Sequence, residues 1–196
     1  MVVGALWIVS VLAGATVLMC WGAGPGVAAA APPHWPDDVA IARRTDLPTL
    51  LVFAHPQCPC TRATLAELDK IFARCNGRVQ SIVVFLALDE LGEEWTKGEM
   101  WKLAEAVTGV TVIADADGAL AKRFCVATSG QTLLYGIDGA LRFTGGITAG
   151  RGHAGDNAGE EAVIAHVLGS TDAHGAAAVF GCGMFACPDE AGEGTR

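Results

Sequence analysis

Leu50-Leu51-Val52-Phe53-Ala54-His55-Pro56-Gln57-Cys58-Pro59-Cys60-Thr61-Arg62 is the stretch on which the fold turns. Its first four residues form a short apolar run of strand type behind Pro48. Over residues 61–74 the apolar positions fall at helical spacing, with Leu65, Leu68 and Ile71-Phe72 on one face. A strand thus feeds a helix through a turn that carries two cysteines. Pro59 suits the first helical position, where a missing N–H costs nothing. Cys58 then falls at or beside the N-cap, where free backbone N–H groups and the helix dipole favour a thiolate. The thiolate is the reactive form of cysteine, both as nucleophile and as metal ligand.

Working outward, residues 79–88 read as a strongly apolar strand, 93–107 as an amphipathic helix and 110–114 as another strand. Residues 120–124 read as a short helical turn. Strands at 132–135 and 140–144 flank Gly136-Ile137-Asp138-Gly139, a hairpin signal, and 157–168 reads as a final helix. Strands alternating with helices imply a parallel sheet, to which the hairpin adds antiparallel strands. The expectation is one α/β domain over residues 37–170, a central mixed sheet flanked by helices.

With these residues in hand, the chain resembles the thioredoxin superfamily, and within it the membrane-anchored, extracytoplasmic thioredoxin-like proteins of cytochrome maturation. Their pattern is a hydrophobic strand, then W-C-x-x-C-R and x-x-x-P-x-L. Cys58 matches the first cysteine, Arg62 the residue after the second, and Leu68 the helix leucine. Thr61 stands where the second cysteine belongs, Cys60 sits one place earlier, and Gln57 replaces the tryptophan. Lys122-Arg123-Phe124-Cys125-Val126 looks like the family's short helix and turn, and Leu133-Leu134-Tyr135 with Asp138-Gly139 like its hairpin. Ser129-Gly130 occupies the place of the family's cis-proline. The Cys-Pro-Cys-Thr and Arg151-Gly152-His153 segments together resemble RedB-type members. The resemblance implies a thioredoxin-like fold, thiol–disulfide exchange and a protein thiol or disulfide as redox partner. It implies a catalytic set of Cys58, Cys60, Thr61 and Arg62. Thr61 cannot attack a mixed disulfide. Cys60 would close a tight ring with Cys58, and a strained disulfide is the more easily reduced. Cys58 working with a distant partner, or alone, stays open.

The glycine-rich loop at 145–157 should border the cysteines, since the second hairpin strand ends at their edge of the sheet. There Arg151 and His153 are candidates to stabilise a thiolate or relay a proton. The plainer reading is a surface loop with Asp156 or Asn157 capping the last helix. Cys182 and Cys187 allow a local disulfide. As the alternative to catalysis, Cys58, Cys60, His55, Cys182 and Cys187 are candidate metal ligands, for copper, zinc or an iron–sulfur cluster. The copper form would be similar to Sco-type chaperones. Cys75 and Cys125 read as buried apolar residues, and His166 as packing or solvent-facing.

Composition sets the remaining limits. The chain has 196 residues, 52% hydrophobic and 17% charged, with a net charge of −8. It carries no basic patch, which argues against nucleic acid. No Lys, Arg, Asp or Glu occurs before Asp37. Residues 1–23 form an apolar run long enough to span a bilayer as a hydrophobic helix, read as a signal peptide or a transmembrane anchor. Residues 24–36 read as a linker and 171–196 as a Gly/Ala-rich tail. Export to the periplasm or cell exterior, with the membrane engaged through this segment, is the expectation, and the seven cysteines suit an oxidising compartment.

Overall fold

The computed structural model describes residues 2–28, 30–170 and 173–185, excepting the side chains of Val2, Ala5 and Trp21. Five strands form one sheet in the order β3-β2-β1-β4-β5. β1 (Thr49–Ala54), β2 (Gln80–Ala87) and β3 (Val110–Ala116) run parallel. β4 (Thr132–Tyr135) pairs antiparallel with β1, and β5 (Leu141–Gly145) with β4. β1 is central and buried along its whole length, the reason its sequence is a continuous apolar run rather than an alternating one.

The pleat sends alternate side chains of the sheet to two cores. On one face Leu50, Val52, Val83, Phe85 and Phe143 meet α2 (Cys60–Cys75), α4 (Glu99–Ala106) and α6 (Ala158–Val167). Leu68 and Ile71 of α2 are fully buried there, each contributing about 1.5–3 kcal/mol of transfer free energy. Leu51, Phe53, Ile82, Val84 and Tyr135 on the other face pack with α5 (Ala119–Arg123) and with Phe124, Val126 and Trp35. The Trp35 ring meets Phe124 and Tyr135 edge-on, at 5.4 and 5.3 Å.

One predicted helix, 93–107, is two: α3 (Glu93–Thr96) and α4, separated at Lys97-Gly98. Gly98 adopts extended dihedrals before α4, a break that the apolar period on either side concealed. Asn157 caps α6, its Oδ1 accepting the Glu160 N–H at 2.9 Å, as one of the two expected capping residues. Cys75 is buried in the core, whereas Cys125 is only half-buried, in the left-handed region at φ 51°.

The segments read as linker and tail are pinned to the domain where they are described. Tyr135 Oη donates to the Pro32 carbonyl at 3.0 Å, and the Trp35 N–H to the Gly139 carbonyl at 2.8 Å. Beyond α6 the chain returns along β5: Gly175 accepts from the Thr144 N–H, and the Ala177 N–H donates back to Thr144. It then crosses the loop before β4, where Gly183 bridges Thr128 in antiparallel fashion.

α1 (Val2–Ala23) is a helix with Val3, Leu6, Trp7, Ile8 and Val9 exposed. The expected transmembrane anchor is not met among the described residues: none of their helices is long and apolar enough to cross a membrane.

Candidate functional site

β1 ends at Ala54 and the chain turns through His55-Pro56-Gln57 into α2. The Cys58 N–H donates to the His55 carbonyl and the Thr61 N–H to that of Cys58, closing the turn. Pro59 already has helical dihedrals, φ −60° and ψ −27°, so its ring suits the start of the helix. Cys58 therefore sits beside the N-cap of α2, Pro59, one of the two places the sequence implied, but it is covered: its relative exposure is 1%.

What covers it is the chain's own C-terminal segment. Cys182 Sγ lies 2.9 Å from Cys58 Sγ, though the two residues are 124 positions apart in sequence. The segment is held on both sides of that contact. The Ser129 N–H donates to the Cys182 carbonyl at 2.8 Å, and the Met184 N–H to the Ala127 carbonyl at 2.7 Å. The Arg151 guanidinium donates to the Gly181 carbonyl. Cys182 itself is exposed as a residue.

The groups around the Cys58 sulfur set its acidity. Burial on its own pushes this thiol up, but the thiol and N–H of Cys182, the N–H of Cys60 and the Ser129 hydroxyl outweigh it and hold Cys58 below the usual cysteine range. The other two thiols move the opposite way. Cys60, also buried, is raised by burial and then by the neighbouring Cys58, against the Gly152 N–H and the Arg151 charge. Cys182 is pushed up to about 12 by burial of its sulfur and by Cys58 beside it. Of the three thiols, Cys58 is the one shifted toward the thiolate, while Cys60 and Cys182 are shifted away from it.

Thr61 is buried and structural: its hydroxyl donates to the His55 carbonyl at 3.1 Å and lies 3.4 Å from Ser129 Oγ. Ser129 in turn accepts the His55 N–H at 2.9 Å. Arg62 points to solvent and pairs with Glu99 at 2.7 Å. Both line an open groove of about 290 Å³ with Pro56, Gln57, Cys58 and Pro59. The loop at 145–157 does border the cysteines, but through Arg151 and the Gly152 N–H. His153 is exposed and bonds the Arg151 carbonyl within its own turn, at 2.7 Å. His55 is held below the ordinary histidine range by burial, its ring edge-on to Trp95 at 5.3 Å. Among the described residues, no group of three or more His, Cys, Asp or Glu side chains is placed to hold a metal ion. Cys187 lies outside the described residues.

Ser129 and Trp95 also border the site, through the His55 N–H and the His55 ring. Ser129 carried one available signal, standing where the resemblance expects a proline beside the cysteines. Trp95 carried none, because its partner His55 is remote in sequence.

The fold has counterparts of known structure. An uncharacterized conserved protein from Geobacillus kaustophilus superposes with a TM-score of 0.58 at 19% identity, over 73% of this chain and 79% of that one. A hypothetical protein from Sinorhizobium meliloti gives 0.59 at 17% identity, over 74% and 82%. The fold, a mixed five-stranded sheet in the order β3-β2-β1-β4-β5 flanked by helices, is thioredoxin-like. A secreted Mycobacterium tuberculosis disulfide oxidoreductase, described as homologous to DsbE of E. coli, gives 0.46 at 19% identity over 63% and 81%. No family model and no curated protein matches the chain. In this fold the cysteine-bearing turn follows β1, and the C-terminal segment is laid over it.

Proposed function

We propose that this protein carries out thiol–disulfide exchange outside the cytoplasm, with Cys58 as its stabilised thiolate and protein thiols or disulfides as its partners. The observation that carries this reading is geometric: the buried Cys58 sulfur, beside the N-cap of α2, lies 2.9 Å from the Cys182 sulfur. Stabilised thiolates exchange readily and leave readily. A cysteine serving only as core filler would be raised by burial, as Cys75 is. The extracytoplasmic part rests on α1. A helix free of charge, with Val3, Leu6, Trp7 and Ile8 turned outward, suits an export or membrane-contacting segment rather than a water-facing surface.

The test is the pH dependence of reversible disulfide formation in the full chain, wild type and Cys58→Ser. Exchange with a glutathione redox buffer should be lost in Cys58→Ser. In the wild type the Cys58 thiolate should persist below the usual cysteine range. Exchange that survives Cys58→Ser refutes the reading, and stoichiometric metal shielding Cys58 and Cys60 from alkylation would mark a metal carrier instead.

A further inference from the structure

We propose that Cys182 is the sulfur through which partner dithiols exchange with this protein, and that Cys58 is the leaving sulfur behind it. This rests on the reading of the site as a thiol–disulfide exchanger, and deepens it.

Three observations assign the pair and the direction of attack. The two sulfurs stand 2.9 Å apart, so a covalent bond of about 2.05 Å requires roughly 0.9 Å of closure. A Cys58–Cys60 bond would instead close over a single residue, Pro59, whose φ is fixed at −60°. The approach of Cys182 is built rather than incidental. Its carbonyl and that of Gly181 accept from the Ser129 N–H and from Arg151, and Gly183 bridges Thr128. Gly181 is required there, since a Cβ on it would lie 1.8 Å from the Ser129 carbonyl oxygen. Finally, Cys58 is 1% exposed whereas Cys182 is exposed as a residue, so Cys182 is the more approachable member of the pair.

The chemistry runs from the Cys58–Cys182 disulfide. A partner thiolate, its proton given to water, attacks Cys182 Sγ. A partner–Cys182 bond forms, the Cys58–Cys182 bond breaks, and the electron pair leaves on Cys58, beside the N-terminus of α2. The partner's second thiol then attacks its own sulfur in the mixed disulfide. The partner disulfide forms and Cys182 leaves, taking up the proton that second thiol sheds. The partner has lost two electrons and two protons. The protein holds two electrons and one proton, shared between Cys182 and the Cys58 thiolate. A reduced form stabilised in this way makes the couple more oxidising.

The test uses the full chain in mild detergent, oxidised with oxidised glutathione and mapped by mass spectrometry without reduction. The expected linkage is Cys58–Cys182, and it should form equally in Cys60→Ser. The oxidised protein is then treated with glutathione, a monothiol that stops at the mixed disulfide, and quenched with an alkylating agent. The glutathione mass should appear on the Cys182 peptide and the alkyl mass on the Cys58 peptide, by roughly tenfold or more over the reverse, because the more acidic thiol leaves faster. A Cys58–Cys60 or Cys182–Cys187 linkage, or glutathione on Cys58, overturns the assignment while leaving Cys58 an exchanging cysteine. If no reversible disulfide forms at Cys58, the underlying functional reading fails with it.

Discussion

Replacing Gly181 with alanine tests whether the seating of the C-terminal segment aligns the two sulfurs. The added Cβ would stand 1.8 Å from the Ser129 carbonyl oxygen, where ordinary contact begins at 3.4 Å. The neighbour is backbone, so no side chain can turn aside, and the segment must retreat by roughly 1.6 Å to restore ordinary contact. That exceeds the roughly 0.9 Å through which the sulfurs must close. Misplacing a reacting group by about 1 Å can cost on the order of 100-fold in rate, so closure of the Cys58–Cys182 disulfide in Gly181→Ala should be about 100-fold slower. The assay mixes reduced full chain with excess oxidised glutathione, quenches with acid at intervals and follows the intramolecular disulfide by mass. Gly183→Ala, on the other side of Cys182, is the matched control. Its Cβ would meet nothing within 4 Å, and its rate should stay within about twofold of wild type, as for surface changes worth under about 0.5 kcal/mol. If Gly181→Ala closes as fast as Gly183→Ala, the backbone contact does not align the sulfurs and the reasoning is wrong.

Two further substitutions probe the frame around the site. Asp115, buried at the end of β3, accepts the N–H groups of Leu120 and Ala121 at 2.7 and 2.9 Å and so starts α5. Asp115→Ala leaves both donors orphaned and should cost about 1–3 kcal/mol in a urea melt; an unchanged midpoint would show that water replaces the carboxylate. Glu160 is buried, and its carboxyl is raised by burial and by the neighbouring Glu67 carboxylate. A raised carboxyl contributes its stability below the ordinary glutamate value and loses it as pH climbs through the folded value. The wild-type melting temperature should fall over that window, and Glu160→Gln, which stays neutral, should flatten the fall. Parallel pH profiles for the two proteins would contradict this assignment.

Most of the frame was legible because its signals are local. The apolar run at 50–53 announced a central strand, the spacing at 61–74 a helix, and Gly136-Ile137-Asp138-Gly139 a hairpin. Cys58 was legible for the same reason, since a proline at a helix start identifies the residue before it. The partner of Cys58 was not, because nothing local ties a residue to another 124 positions away. The sequence left Cys182 among several candidates, and its setting in a Gly/Ala-rich stretch read as tail. Small residues there serve close backbone packing: a Cβ on Gly146 would sit 2.6 Å from the Ala178 carbonyl oxygen, and one on Gly145 2.5 Å from that of Ala177. Composition alone does not separate such a segment from a flexible one. Arg62 and His153 matched motif positions, yet one faces solvent in an ion pair and the other bonds its own loop, outcomes fixed by side-chain direction.

The antiparallel seat at residues 127–129 has a consequence for partner choice. The Ser129 N–H and the Ala127 carbonyl are the groups an extended peptide would use to lie beside Cys58 as an added strand. A segment of the same chain already holds them, and a tethered competitor acts at an effective concentration on the order of millimolar. An outside peptide seeking direct access to Cys58 must outcompete that internal strand. The overlay therefore sets an affinity threshold: weak, passing thiols and peptides are turned away from the buried sulfur, and only a ligand that outbids the protein's own strand reaches it.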